Sequence, residues 1–313
     1  MLPLHICFNL IANMSTPATD HDTLHRFTFE HTPIRGNTVH LHQSFMIALQ
    51  NQPYPDFLRI ALGELMAAGM LLSATLKMYG ALILQIQGKG ALKLLVVECS
   101  RHADTDALTL RATAKFSENL QAGSLREMIG AGHFAITLDQ KDGANGYQGI
   151  VPLEGSTVSE MLENYMRRSE QIETSIWLTC NGKQAAGMLL QKLPDQQEAD
   201  TDAWNRINLL AKTVDDDELL QLPAGQLLYR LFHEEDVRLY DGQAVQFLCS
   251  CSRDNVRNML RMLGQEEINS IIEERGEVEV HCDFCNRNYK FDRIDAGQLF
   301  IAEITIPAPP GHH

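Results

Sequence analysis

Cys249-Ser250-Cys251 and, after an interval of 30 residues, Cys282-Asp283-Phe284-Cys285 are the stretch from which the architecture of this chain can be read. Four of its seven cysteines fall between positions 249 and 285. Two thiolates on each of two tight turns can close a tetrahedral site, and Zn2+ is the ion that four sulfur ligands favour, one per chain. A CxxC turn by itself would say only zinc. The CxC turn is the more informative half, because most zinc ribbons pair two CxxC turns. Residues two apart lie about 5.5–7 Å apart at Cα, a separation that overlaps what a disulfide needs. CxxC is likewise the usual dithiol redox turn. Each pair can therefore hold half of a metal site or close on itself, and a permanent zinc staple and a redox switch both satisfy the spacing.

Around these cysteines, residues 249–301 read as a small zinc-binding module. Helices are expected over 253–263 and 266–274, a strand over 277–281 leads into the second knuckle, and residues 287–291 lead out. A module of about fifty residues buries too little apolar surface to be comfortably stable. Zinc binding to such peptides contributes on the order of 10–16 kcal/mol, which becomes folding energy. His281 adjoins the knuckle, but with four cysteines available it reads as a neighbour of the site rather than a ligand.

Upstream, residues 194–248 change the character of the chain. Between Asp195 and Leu248 there are twelve Asp/Glu and four Lys/Arg, a net charge of −8 out of −14 for the whole sequence. Apolar clusters at 207–210, 219–222 and 227–232 have helical spacing, and Asp215 or Asp216 suits a helix N-cap. Short, self-repelling helices with separated apolar faces cannot make a core of their own. The segment is expected to be a helical linker that docks on the flanking domains.

Residues 15–193 read as one α+β domain with a mostly antiparallel sheet. Helices are expected over 37–50 and 54–78, with Met66, Met70 and Met78 in the core. Residues 82–87 and 92–98 around Gly88-Lys89-Gly90 spell a hairpin. Residues 108–116 are a further strand, and 133–139 with 146–153 form a second hairpin about a turn at 141–145. A helix over 157–168, capped by Ser156, precedes strands at 175–180 and 186–193. Residues 1–14 form an apolar leader without the basic region of a signal peptide, and Met14 is a second possible start; residues 302–313 are a tail.

Composition narrows the function classes. A charge of −14 argues against a nucleic-acid partner, which requires basic surface. The charge-free run 65–76 is too short to cross a bilayer, so no membrane partner is expected. Seven cysteines, an odd number, with four of them in metal spacing, indicate a reducing compartment, the cytoplasm. Cys7, Cys99 and Cys180 read as buried small hydrophobes. No P-loop, GxGxxG, GxSxG or HExxH occurs, and the twelve histidines have the scatter of solvated surface positions. The cysteine cluster is the one strong chemical signal, and it does not indicate an enzyme.

The CxC and later CxxC, preceded by Leu231-Phe232-His233-Glu234-Glu235-Asp236-Val237, resemble the redox-regulated thirty-three-kilodalton heat-shock chaperone family. The likeness extends over roughly residues 20–300. It includes Leu24-His25-Arg26-Phe27, Gly146-Tyr147-Gln148-Gly149-Ile150-Val151, Tyr165-Met166-Arg167-Arg168-Ser169-Glu170-Gln171 and Gly187-Met188-Leu189-Leu190-Gln191. The resemblance implies an ATP-independent holdase for unfolded client proteins, inactive while Cys249, Cys251, Cys282 and Cys285 bind Zn2+. It further implies that oxidation pairs Cys249 with Cys251 and Cys282 with Cys285, releases zinc, unfolds the linker and yields a homodimer. Three rivals are a zinc-ribbon regulator binding nucleic acid, a CxxC thiol-disulfide oxidoreductase and an inert zinc-stapled scaffold. The first fits poorly with ten acids against seven bases in 249–301, and the second lacks a thioredoxin-like βαβ context.

Overall fold

The structure, a computed structural model, describes residues 21–75, 80–102, 105–140, 147–194 and 200–300. By its internal contacts the chain divides after Leu248 into two compact units. The leader, the tail, Cys7, Met78 and the turn at 141–145 lie outside the described residues.

The first unit opens with strands β1 (Thr23–Phe29) and β2 (Ile34–Leu41), then helices α1 (Gln43–Leu49) and α2 (Asp56–Ser73). The meander β3 (Gly80–Gly88), β4 (Leu92–Arg101) and β5 (Leu108–Phe116) leads to the short helix α3 (Leu125–Ile129). Strands β6 (Gly132–Gln140) and β7 (Tyr147–Pro152), helix α4 (Val158–Tyr165) and strands β8 (Thr174–Cys180) and β9 (Ala185–Lys192) follow. The acidic segment supplies α5 (Ala203–Ala211), α6 (Asp216–Gln221) and α7 (Ala224–Phe232), then strands β10 (Val237–Leu239) and β11 (Gln243–Phe247).

Among the described residues these strands make one sheet, in the order β7-β6-β3-β4-β5-β11-β1-β2-β9-β8, with β10 also paired to β1. Every pairing is antiparallel except that of β11 with β5. The sheet is thus mostly antiparallel, and the expected hairpins β3-β4 and β6-β7 are present. One face packs on α2, whose Leu58, Leu62, Leu65, Met66, Met70 and Leu71 are buried. Close approach is possible because Gly63 and Gly69 lack a Cβ: one at Gly63 would lie 2.4 Å from the Cys180 sulfur, and one at Gly69 2.7 Å from that of Cys99.

Along β9 the period of two sorts side chains between two cores. Ala185 and Leu189 face α2, while Ala186, Met188 and Leu190 lie in a second core with Ile207, Leu219, Leu227, Leu231 and Phe232 of α5–α7. The acidic helices therefore bury their apolar stripes against the sheet, together with Phe27, Phe29 and Ile34. Asp215 caps α6 in a full capping box with Glu218.

Several local expectations are corrected. Residues 37–41 belong to β2 and not to a helix, because Asn37, Thr38, Val39, His40 and Leu41 are buried between β1 and β9. Helix α1 begins only after the Asp22 carboxylate gathers the N–H groups of His42, Gln43 and Ser44. The α4 cap is Thr157, whose hydroxyl accepts the Glu160 N–H, and not Ser156. That helix ends in a π-helical turn, Met166–Glu170. His40 is not a surface residue: it is 7% exposed, and its Nε2 donates to the Leu219 carbonyl of α6 at 2.9 Å. Cys180 is only half-buried, whereas Cys99 is buried.

Glu64 is the one half-buried acid on the sheet-facing run of α2. Burial, with the charge of Asp216 on α6 adding to it, pushes its carboxyl up to about 7. A carboxyl with a folded value above its unfolded value of 4.5 favours the fold below the unfolded value and loses that contribution as pH rises to about 7. Glu64→Gln is accordingly expected to stabilise the first unit by about 1–3 kcal/mol at pH 8 and to leave it unchanged near pH 4. Thermal denaturation across that range measures it, and an equal effect at both pH values would contradict the assignment.

The second unit has its own small core. Helices α8 (Arg253–Leu263) and α9 (Gln265–Arg275), the hairpin β12 (Val278–His281) and β13 (Asn288–Phe291), and α10 (Arg293–Leu299) gather Val256, Leu260, Ile268, Ile272, Val278, Tyr289, Phe291, Ala296 and Leu299. Among the described residues no helix is long and apolar enough to cross a membrane.

Candidate metal centre

Each cysteine pair sits where local structure fixes its backbone. The CxC turn runs into the N-terminus of α8: the Ser252 hydroxyl accepts the Asn255 N–H, and the Asn255 side chain returns a hydrogen bond to the Ser250 carbonyl at 3.0 Å. The CxxC turn is the tip of the β12-β13 hairpin. It is closed by Cys282 N–H to Arg287 O and Asn286 N–H to Cys282 O, with Asn286 in the left-handed region at φ 56°. Asparagine tolerates that conformation better than most residues.

The four expected ligands, Cys249, Cys251, Cys282 and Cys285, are brought together with their sulfurs all within 4.8 Å of one another. Two of the sulfur contacts join one knuckle to the other: Cys249 to Cys282 at 3.6 Å and Cys251 to Cys285 at 3.4 Å. A tetrahedron with Zn–S bonds of about 2.3 Å has edges of roughly 3.8 Å, so the cluster has the size and the donor set for Zn2+. His281 is exposed and lies outside this group. All four cysteines are half-buried.

Two neighbours were not legible in the sequence. The Tyr289 hydroxyl, on the strand returning from the second knuckle, donates to the Cys251 sulfur of the first at 3.2 Å. Arg253 reaches across in the other direction. Its guanidinium donates to the Lys290 carbonyl at 2.8 Å, pairs with Asp295 at 2.7 Å and lies 4.3 Å from the centre of the Phe291 ring. Both contacts are tertiary, and a tyrosine four residues after a CxxC carries no periodic signal.

Electrostatics separate the thiols. Burial pushes Cys249 up to about 12, its sulfur neighbours adding to the shift. Burial acts the same way on Cys251, but hydrogen bonds from Tyr289 and the other sulfurs outweigh it and bring that thiol down to about 7. Charge on one of these sulfurs disfavours ionisation of its neighbours. A dication removes that obstacle, so metal binding at neutral pH must expel protons from the remaining thiols.

Fold and site together define an α+β protein whose C-terminal module carries a cluster of four cysteines that could hold a metal ion. The sequence model of the family described as Hsp33 protein matches residues 22–292, and the chain belongs to that family. The 33 kDa chaperonin of Methylobacillus flagellatus is 57% identical over 294 residues, covering 93% of this chain and 99% of the relative. That of Nitrosococcus oceani is 47% identical with the same coverage. The crystal structure of the 33 kDa chaperonin from Thermotoga maritima superposes with a TM-score of 0.74 at 21% identity, over 89% of this chain and 98% of that one, a likeness of fold.

Proposed function

We propose that the chain is a redox-regulated, ATP-independent holdase of the cytoplasm, a binder of unfolded proteins and not an enzyme. The observation that carries the reading is the convergence of four half-buried thiols, adjacent in sequence two by two, in a module with a small core. Membership of a family whose relatives are named chaperonins supports the chaperone part. Bound through Cys249, Cys251, Cys282 and Cys285, Zn2+ would supply the charge that keeps these sulfurs thiolates and closes the module. Tyr289 and Arg253 hold the two knuckles in register meanwhile.

A thiolate sulfur attacks a peroxide: an S–O bond forms, the O–O bond breaks and hydroxide leaves. The adjacent thiolate displaces a second hydroxide to form the S–S bond, so each disulfide passes two electrons to one peroxide. Pairing within each turn, Cys249 with Cys251 and Cys282 with Cys285, removes all four ligands and leaves the module unstapled. Pairing between the knuckles, Cys249 with Cys282 and Cys251 with Cys285, would replace the metal by covalent staples and keep the module closed. A switch requires the first outcome.

Loss of the module frees the chain beyond Leu248, and the acidic segment, held by short helices, opens from the sheet. That uncovers Phe27, Phe29, Ile34, Met188 and Leu190 and the apolar stripes of α5–α7, a surface for unfolded clients or a second copy on oxidation. The net charge keeps such complexes dispersed. The experiment follows zinc release with a chromogenic chelator and aggregation of a denatured enzyme by light scattering, before and after peroxide with heat. The reading requires one zinc per reduced chain, its release on oxidation and suppression of scattering only afterwards. Suppression with zinc retained, or release without suppression, overturns it.

A further inference from the structure

Strand β11 occupies an unusual place. The two halves of the sheet, β7-β6-β3-β4-β5 and β1-β2-β9-β8, are hydrogen-bonded together only through it among the described residues. It runs parallel to β5, with Val245 opposite Leu108, Gln246 opposite Thr109 and Phe247 opposite Leu110. On its other side it runs antiparallel to β1, with Ala244 opposite Thr23 and Gln243 opposite Leu24. Further bonds run from the Val245 N–H to the Asp22 carbonyl at 2.8 Å and from the Leu248 N–H to the Leu110 carbonyl at 3.1 Å. Yet β11 is only five residues long, and of its side chains only Val245 is fully buried, with Phe247 half-buried against the same core. It ends one residue before Leu248 gives way to Cys249.

A strand with so little side-chain burial is held mainly by its backbone ladders, and such ladders are indifferent to sequence. We propose that β11 is a placeholder: when it leaves, the slot between β5 and β1 takes up an extended segment of an unfolded client as a replacement strand. The inference rests on the reading under Proposed function, in which oxidation releases the acidic segment. The occupant is identified by what sits there now, an extended uncharged backbone with a β-branched side chain buried at the position of Val245 and an aromatic one half-buried against the same core at Phe247. A client strand would restore the hydrogen bonds on both sides, the mode by which exposed sheet edges recruit peptides. Most unfolded proteins carry such segments, so the slot confers breadth and not specificity.

Thr23 and Ala244 form a non-hydrogen-bonded antiparallel pair, since the neighbouring pair, Asp22 with Val245, carries the hydrogen bond. Such pairs bring Cα atoms within disulfide range. A Thr23→Cys/Ala244→Cys disulfide should therefore lock β11 in place without touching the metal centre. After peroxide the locked full chain is expected to lose zinc like the unsubstituted chain but to hold a permanently unfolded, carboxymethylated polypeptide about tenfold more weakly, while either single-cysteine variant holds it normally. Equal binding by the locked chain overturns the slot and leaves the redox reading intact. An unsubstituted chain that releases zinc and binds no polypeptide overturns both. Hydrogen exchange on the unsubstituted chain gives an independent readout. On oxidation, amides 108–110 and 243–247 should both lose protection, and on client addition only 108–110 should regain it. Protection that returns to neither, or to both, overturns the placeholder.

Discussion

Cys282→Ser is expected to yield a chain that purifies without zinc and whose residues 249–300 do not fold, while the first unit keeps its thermal transition. The size of the effect follows from what holds the module. Nine buried residues form its core, and its helices of eleven, eleven and seven residues are too short to persist alone. Zinc at four thiolates contributes about 10–16 kcal/mol in peptides of this kind, far more than such a core supplies. Serine is a poor ligand at neutral pH, and its loss of charge also removes the reason for the remaining thiols to ionise together. Metal analysis and the dispersion of amide resonances from residues 249–300 give the answer. A folded module with stoichiometric zinc in the variant would mean that the Cys282 sulfur is not part of the clamp.

Phe232→Ala is expected to switch the chain on without oxidation. Phe232 is 1% exposed and closes the core beneath α5–α7, packing edge-on against Phe29 at 5.0 Å and beside Phe27 at 6.4 Å. Truncation of a buried phenylalanine costs about 3–5 kcal/mol. The three helices of the acidic segment have nine, six and nine residues and depend on this contact, so the cost falls on their docking. Hydrogen exchange over residues 203–232 should accelerate by about two to four orders of magnitude, with zinc still bound. Suppression of aggregation should then appear in the reduced chain. Faster exchange with no gain in client binding would show that the surface under α5–α7 is not where clients are held.

What could be read from the sequence, and what could not, divides by the range of the interactions. The hairpins β3-β4 and β6-β7 are local pairs flanked by turn residues, and the cysteine knuckles carry their spacing with them. The acidic helices announced themselves through Leu219, Leu227 and Leu231 at helical intervals. Strands β1, β2, β10 and β11 did not. In β2 the burial is two-sided, so Val39 and Leu41 run into Phe45 and Leu49 of α1 with an apparently helical spacing. Strands β10 and β11 lie in a polar stretch and pair with residues more than a hundred positions away, which no window of local periodicity can see. The clustering of the four cysteines was legible because their spacing is local. Tyr289 and Arg253 act across the hairpin and were not.

The placement of β11 also bears on how the protein is made. A nascent chain can assemble β3, β4 and β5 as soon as they emerge, but the strand that joins them to β1 is among the last pieces of the first unit to leave the ribosome. Until residue 247 has been synthesised the two half-sheets carry open edges, and closure must wait for a partner drawn from the far end. Pairing at such sequence separation is slow, because much of the chain must be ordered before the contact forms. Refolding of the full chain from denaturant should therefore show its slowest phase in the amides of β1, β5 and β11 together, with the cysteine module maturing after them or apart from them.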